Sequence, residues 1–231
     1  MSAVARRAAI LRAAGGVIAR AGINGASVRE IASAAGVSEA LLYKHFPSKA
    51  AIYDEALAMA RGSSQFTISR FATLPPNTES FVLLAYATIE FIMFGFPGRG
   101  EEQYGTWRLM FQSLLDDGVH ARHIMSDTAA AWKEHVVANY AAAVAAGDIV
   151  ELAIEPANRF RFVQQLGVAL RLSHLPDSPA LEYEGTKRDL ADQAVLFTLR
   201  GLGLRDEAIA RYFDPDRLQA RLAELFPRED S

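Results

Sequence analysis

The chain has 231 residues, 51% of them hydrophobic, with a formal net charge of −3 and no cysteine. That length suits one large domain or a small one joined to a larger; the apolar content excludes wholesale disorder, and the missing cysteine excludes disulfide and thiol chemistry and agrees with a cytoplasmic protein. Charge is unevenly placed: residues 1–52 hold seven basic side chains against Glu30 and Glu39, a net +5 that leaves −8 for the rest, so a polyanionic partner is expected for the N-terminal part alone.

Strand patterns are nearly absent, and alanine and leucine dominate, so the fold class expected is all-α. Ile10, Ala14, Val17, Ile18 and Ala21 recur at helical spacing and make an amphipathic first helix that Gly22 is placed to end. Arg12 and Arg20 interrupt its apolar pattern, so no signal peptide is read there. Ser27-Val-Arg-Glu30 has capping-box spacing and opens a second helix with Val28, Ile31, Ala32 and Ala35 on one face. After the turn Gly36-Val37-Ser38, Ser38 caps a third helix from Glu39 to Phe46, which Pro47 stops. Ser48 caps a fourth, starting at Lys49 and reaching about Phe71. Breaks at Leu74–Ser80, Gly95–Gly100, Asp117-Gly118, Gly147-Asp148 and Leu175–Thr186 then delimit helices over 78–95, 101–117, 119–146, 156–174, 187–202 and 205–226, with Asp214-Pro215 the natural place for the last to split. The most apolar run, Phe81–Phe96, is shorter than the roughly 20 residues that span a bilayer and contains Glu90, so no membrane partner is expected.

The third helix carries the chemistry. Leu42 and Phe46 share a face at i, i+4 and, with Val37, can pack on helices one and two. Ala40, Tyr43 and Lys44 then lie outward, which describes a helix-turn-helix unit whose second helix enters a DNA major groove. Ala40 is small enough to approach base edges, and Lys44 can donate to guanine O6/N7 or to a phosphate. Tyr43 and His45 suit phosphate contacts. Lys49 stands in a first turn, where a cation is unfavourable unless a phosphate sits there too. Ser27 and Arg29 open helix two similarly, and Ser38 and Glu39 complete the DNA-facing set; Glu39 is read first as a helix-dipole partner.

The stretch Ser27–Leu57, "SVREIASAAGVSEALLYKHFPSKAAIYDEAL", resembles the DNA-binding region of TetR-family transcriptional regulators. The likeness covers roughly residues 5–60 and rests on Gly36-Val37-Ser38, Leu42-Tyr43, His45-Phe46 and Lys49 in register. It implies phosphate roles for Ser27, Tyr43, His45 and Lys49, and base-edge roles around Glu39, Ala40 and Lys44. Leu41 departs from the pattern, because many members carry Thr or Ser there, which removes a hydroxyl contact. The resemblance also implies an N-terminal three-helix DNA-binding domain, residues 1–48, followed by a larger helical ligand-binding and dimerisation domain, residues 49–231.

Within that larger part, "FVLLAYATIEFIMFGF" is apolar on every side and is expected to be a central buried helix. Phe91 and Phe94 on it, Trp107, Met110 and Phe111 on the next helix and Trp132 on the one after are packing residues or the lining of a cavity for a hydrophobic or aromatic effector. Glu90 among them is expected to pair with Arg108 or Arg171, or else to recognise a cationic or hydrogen-bonding ligand. Phe160, Val163, Gly167 and Leu170 on one helix, and Leu190, Ala194, Phe197, Thr198 and Gly201 on another, mix small and large residues at helical spacing. These two faces are either internal core or, as the resemblance implies, a four-helix interface of a homodimer. The last helix, with Leu218, Leu222, Leu225 and Phe226, is expected to dock on this body.

No catalytic residue, metal site or cofactor is assigned: His120 and His123 are three apart without a completing carboxylate, and no phosphate-cradling loop or nucleophile elbow is present. The expected function is a ligand-responsive repressor that holds a palindromic double-stranded operator as a homodimer until a small effector releases it. A constitutive DNA binder or activator, whose body serves only dimerisation or partner binding, and an enzyme fused to a DNA-binding head are the alternatives.

Overall fold

The computed structural model describes residues 3–56, 69–95, 107, 110, 111, 113–115, 118–176 and 178–227. The middle of the expected fourth helix, 57–68, and most of the expected helix at 101–117 lie outside them. The chain divides into two compact units, Met1–Thr67 with Arg99–Ala131, and Ile68–Gly98 with Trp132–Ser231.

The first unit is built around one apolar cluster. Helix α1 (Ala3–Gly25) brings Ile10, Ala14, Val17 and Ile18 to it, and α2 (Val28–Ala34) adds Ile31 and Ala32. Helix α3 (Glu39–His45) and its cap add Leu42 and Phe46, and α4 (residues 49–56) adds Ile52, Tyr53 and Ala56. The regular helix breaks at Gly22, where φ is 75°. Gly36, at φ 64°, closes α2 in a Schellman turn: its N–H reaches Ser33 O at 3.1 Å, and the Val37 N–H reaches Ala32 O at 2.9 Å. The left-handed conformation there costs any side-chain-bearing residue about 1–2 kcal/mol, which is why the turn uses glycine.

In the second unit α5 (Thr78–Phe94) is the axis, buried on nearly every side as its all-round apolarity predicts. It is flanked by α7 (Pro156–Ser173), α8 (Lys187–Gly201), α9 (Asp206–Tyr212) and α10 (Pro215–Leu225). Helix α6 spans Val119–Ala145, and its C-terminal half belongs here. The break before α10 falls where Asp214 caps it, accepting from Arg217 N at 3.1 Å, with Pro215 in the first turn. Leu218, Leu222 and Phe226 of the final segment are buried as expected. An isolated antiparallel bridge pairs Ile149 with Leu204, and a Cβ on Gly203 would stand 2.5 Å from the Val150 carbonyl. Among the described residues, no helix is long and apolar enough to cross a membrane, and no His/Cys/Asp/Glu group is arranged to hold a metal.

Of the two readings open for the faces of α7 and α8, internal core or dimer interface, burial in the single chain supports the first for most of the residues named. Phe160, Val163, Gly167, Leu170, Leu190, Ala194 and Thr198 are all buried within the single chain. The position a Gly167 Cβ would take is 3.1 Å from Ile92 Cδ1 and 3.2 Å from Ile89 Cδ1, so this glycine exists to let α7 approach α5. Only Phe197, 71% exposed, and Gly201 face outward among the nine; Phe162 and Leu172 of α7 are exposed too.

Candidate nucleic-acid interface

Three serines set the geometry of the head. Ser27 Oγ accepts from Glu30 N at 3.1 Å, while Glu30 Oε2 accepts from Ser27 N at 2.8 Å, a closed capping box. Ser38 Oγ accepts from Leu41 N and Ser48 Oγ from Ala51 N, each at 3.1 Å. Helices α2, α3 and α4 therefore each begin at a fixed residue, which fixes what the first turn presents.

On α3, Leu42 and Phe46 are fully buried, and Glu39, Ala40, Tyr43 and Lys44 are exposed on the other side. His45 is half-buried, its ring 6.5 Å from that of Phe46. The exposed face thus combines a small residue that admits close approach, a phenol and an ammonium, the mixture suited to a major groove and its phosphate edge. Ser27 and Arg29 are exposed at the start of α2.

Two residues outside the predicted set organise this face. Tyr53 donates from its hydroxyl to Ala26 O at 3.1 Å, tying α4 to the residue just before the Ser27 cap of α2, and Lys49 Nζ lies 5.4 Å from the centre of the Tyr53 ring. That bond brings the first turns at Ser27 and Lys49 into one neighbourhood. The Glu30 carboxyl is held below its ordinary value chiefly by the hydrogen bonds from Ser27, with the charges of Arg20 and Lys49 adding to it. Burial, and then the Glu30 charge, push the Tyr53 phenol up, so it stays a neutral donor. Arg7, the second, sits 4.5 Å from the centre of the Phe46 ring and forks onto Glu55, with Nη2 to Oε1 at 2.6 Å. It clamps α1, the end of α3 and α4 together. The sequence showed the spacing of Tyr53 four residues after Lys49, but nothing local pointed to Ala26 as its acceptor.

The candidate effector residues do not form one group. Phe91 and Trp132 are buried in a ring cluster with Phe71 and Phe226: Phe71 lies 5.0 Å from Trp132, 6.3 Å from Phe91 and 5.8 Å from Phe226, and Phe91 lies 5.6 Å from Phe226. They are core in this conformation. Trp107, Met110 and Phe111 belong to the other unit, where the rings of Trp107 and Phe111 are 6.3 Å apart and Met110 is buried. Phe94 is 38% exposed at the far end of α5. Glu90 is paired with Arg188 of α8, which sequence reasoning did not name: Arg188 forks onto it, Nη2 to Oε1 at 3.0 Å. Arg171 instead donates to the Met93 carbonyl at 2.6 Å, and Arg108 lies outside the described residues. The Tyr86 phenol beside this pair is pushed up to about 12, by burial above all and then by the Glu90 charge.

A capped helix-turn-helix head joined to a helical body is the architecture of a DNA-binding regulator. The family profile described as "Bacterial regulatory proteins, tetR family" matches residues 10–56, so the head is similar to the DNA-binding part of those regulators. Solved structures agree in fold. A Rhodococcus sp. protein assigned as a TetR-family transcriptional regulator is 23% identical, with a TM-score of 0.60 over 85% of this chain and 96% of its own. A Clostridium perfringens protein assigned as a fatty acid metabolism regulator is 20% identical, with a TM-score of 0.62 over 85% of this chain and 100% of its own. A gamma-butyrolactone receptor, described as ArpA-like, is 20% identical, with a TM-score of 0.61 over 96% and 99%. No curated protein sequence matches the chain at a significant level.

Proposed function

We propose that this chain is a homodimeric TetR-family repressor whose head, residues 1–48, grips one half of a near-palindromic operator and whose body, residues 49–231, receives a hydrophobic or aromatic effector that releases it. The observation that carries the reading is the division of α3, with Leu42 and Phe46 fully buried and Ala40, Tyr43 and Lys44 exposed opposite them. In this reading Ala40, Lys44 and Glu39 face base edges, while Ser27, Arg29, Ser38, Tyr43, His45 and Lys49 hold the backbone in register. Two copies place their recognition helices in successive major grooves, about 34–36 Å apart. The exposed apolar side chains Phe162 and Leu172 of α7 and Phe197 of α8, with the exposed Gly201, support a dimer through the outer faces of α7 and α8. The fold shared with a gamma-butyrolactone receptor supports a small-molecule effector. Ligand and DNA then oppose each other by the same coupling free energy in both directions.

Selection from a random-sequence duplex pool tests this. It is expected to return a near-palindrome, and Lys44→Ala is expected to alter preference at one position per half-site by about 1–3 kcal/mol. Recovery of no palindrome refutes the dimeric operator, and an equal loss on every sequence moves Lys44 to the phosphate backbone.

A further inference from the structure

At the C-terminal end of α5 three cations gather, two of them beside one ring. Arg171 is engaged with the Met93 carbonyl at 2.6 Å. Arg188 holds Glu90, and its guanidinium lies 4.0 Å from the centre of the Phe94 ring. Lys187 Nζ stands 5.1 Å from the same centre. Glu90 is already matched by Arg188, and Asp189 is turned into its own capping box, accepting from Thr186 N at 2.8 Å and from Thr186 Oγ1 at 2.7 Å. Among the described residues no carboxylate pairs with Lys187. Burial, and then the charge of Arg171, hold the Lys187 ammonium below its ordinary value. A half-buried cation is normally matched by an anion, because its lost hydration is otherwise uncompensated. Among the described residues Lys187 lacks that partner, while 38% of Phe94 next to it remains open to solvent.

We propose that Lys187 and Phe94 form an anion-binding corner for an amphipathic small molecule, whose carboxylate or comparable anionic group sits on Lys187 while its adjoining apolar or aromatic part lies on Phe94. This deepens the effector reading and rests on it. It also reverses the sign expected from Glu90: with Arg188 on that carboxylate, a cationic ligand finds no free charge there, whereas an anion finds one at Lys187.

The test is isothermal titration of the full-length protein with two matched pairs, octanoate with octanamide and 1-naphthoate with 1-naphthamide. Each carboxylate is expected to bind at least tenfold more tightly than its amide. Lys187→Gln is expected to abolish that preference while leaving amide affinity within twofold, and Lys187→Arg is expected to keep it. Equal binding of acid and amide, no binding of either acid, or a preference that survives Lys187→Gln overturns the proposal. Operator release by the same acids is scored separately. Acids that bind through Lys187 yet leave operator affinity unchanged leave the anion corner standing and overturn the effector reading.

Discussion

Tyr53→Phe isolates the bond that aligns the first turns at Ser27 and Lys49. The substitution keeps the ring under Lys49 and the apolar packing of α4, and removes the hydroxyl that donates to Ala26 O at 3.1 Å. Ala26 is 1% exposed, so its carbonyl loses that donor without a ready replacement from bulk water. Removing one partner of a buried hydrogen bond costs about 1–2 kcal/mol. At ~2–4 °C per kcal/mol for a chain of this size, the melting temperature should fall by roughly 2–8 °C. Operator affinity should fall as well, because α2 and α4 no longer hold Ser27 and Lys49 in fixed relation. No cation is removed, so the slope of log affinity against log salt should stay as in the wild type. Lys49→Ala provides the contrast: it should leave the melting temperature nearly unchanged and reduce that slope by about one unit. Anisotropy of a labelled operator over roughly 50–200 mM salt reads both variants. An unchanged melting temperature for Tyr53→Phe, or a salt slope that drops in it as in Lys49→Ala, refutes the reasoning.

Phe197→Asp changes a side chain that is 71% exposed in the single chain, so it should yield folded monomers that lose tight operator binding; an intact dimer in sedimentation refutes the outer-face interface. Gly167→Leu should act differently, since a Cβ there would be 3.1 Å from Ile92 Cδ1: overpacking should cost about 1–3 kcal/mol, and a variant that melts like the wild type yet dissociates would place Gly167 outward after all. Asp192 has a buried Oδ1 without a hydrogen-bond partner, and burial, opposed by Arg188, holds its carboxyl above the ordinary 3.8. A carboxyl raised in the folded state costs stability once it ionises, fully above its folded value and not at all below its unfolded one. Asp192→Asn should therefore raise the melting temperature near neutral pH and lose that gain as pH falls toward 3.8; a gain that is independent of pH refutes this.

For the described residues, the sequence by itself determined most of the helices, the ends set by caps and glycines, and the outward side of α3. Ser27, Ser38 and Ser48 act on N–H groups three residues away, Gly36 acts on its own φ, and Leu42 and Phe46 are one turn apart, so each of these signals is local. Even the break at Asp214-Pro215 is a rule about neighbours. Partners distant in the chain were legible only in three dimensions. Tyr53 finds Ala26 across 27 residues, and Arg188 finds Glu90 across 98, because a charge or a donor accepts whichever complement the packing brings near. The faces of α7 and α8 show the same limit: their apolar spacing says that they are covered, yet burial is equally favourable against the same chain or a second copy. It is the close approach of Gly167 to Ile89 and Ile92 that turns those residues toward α5 and leaves Phe162, Leu172 and Phe197 outside.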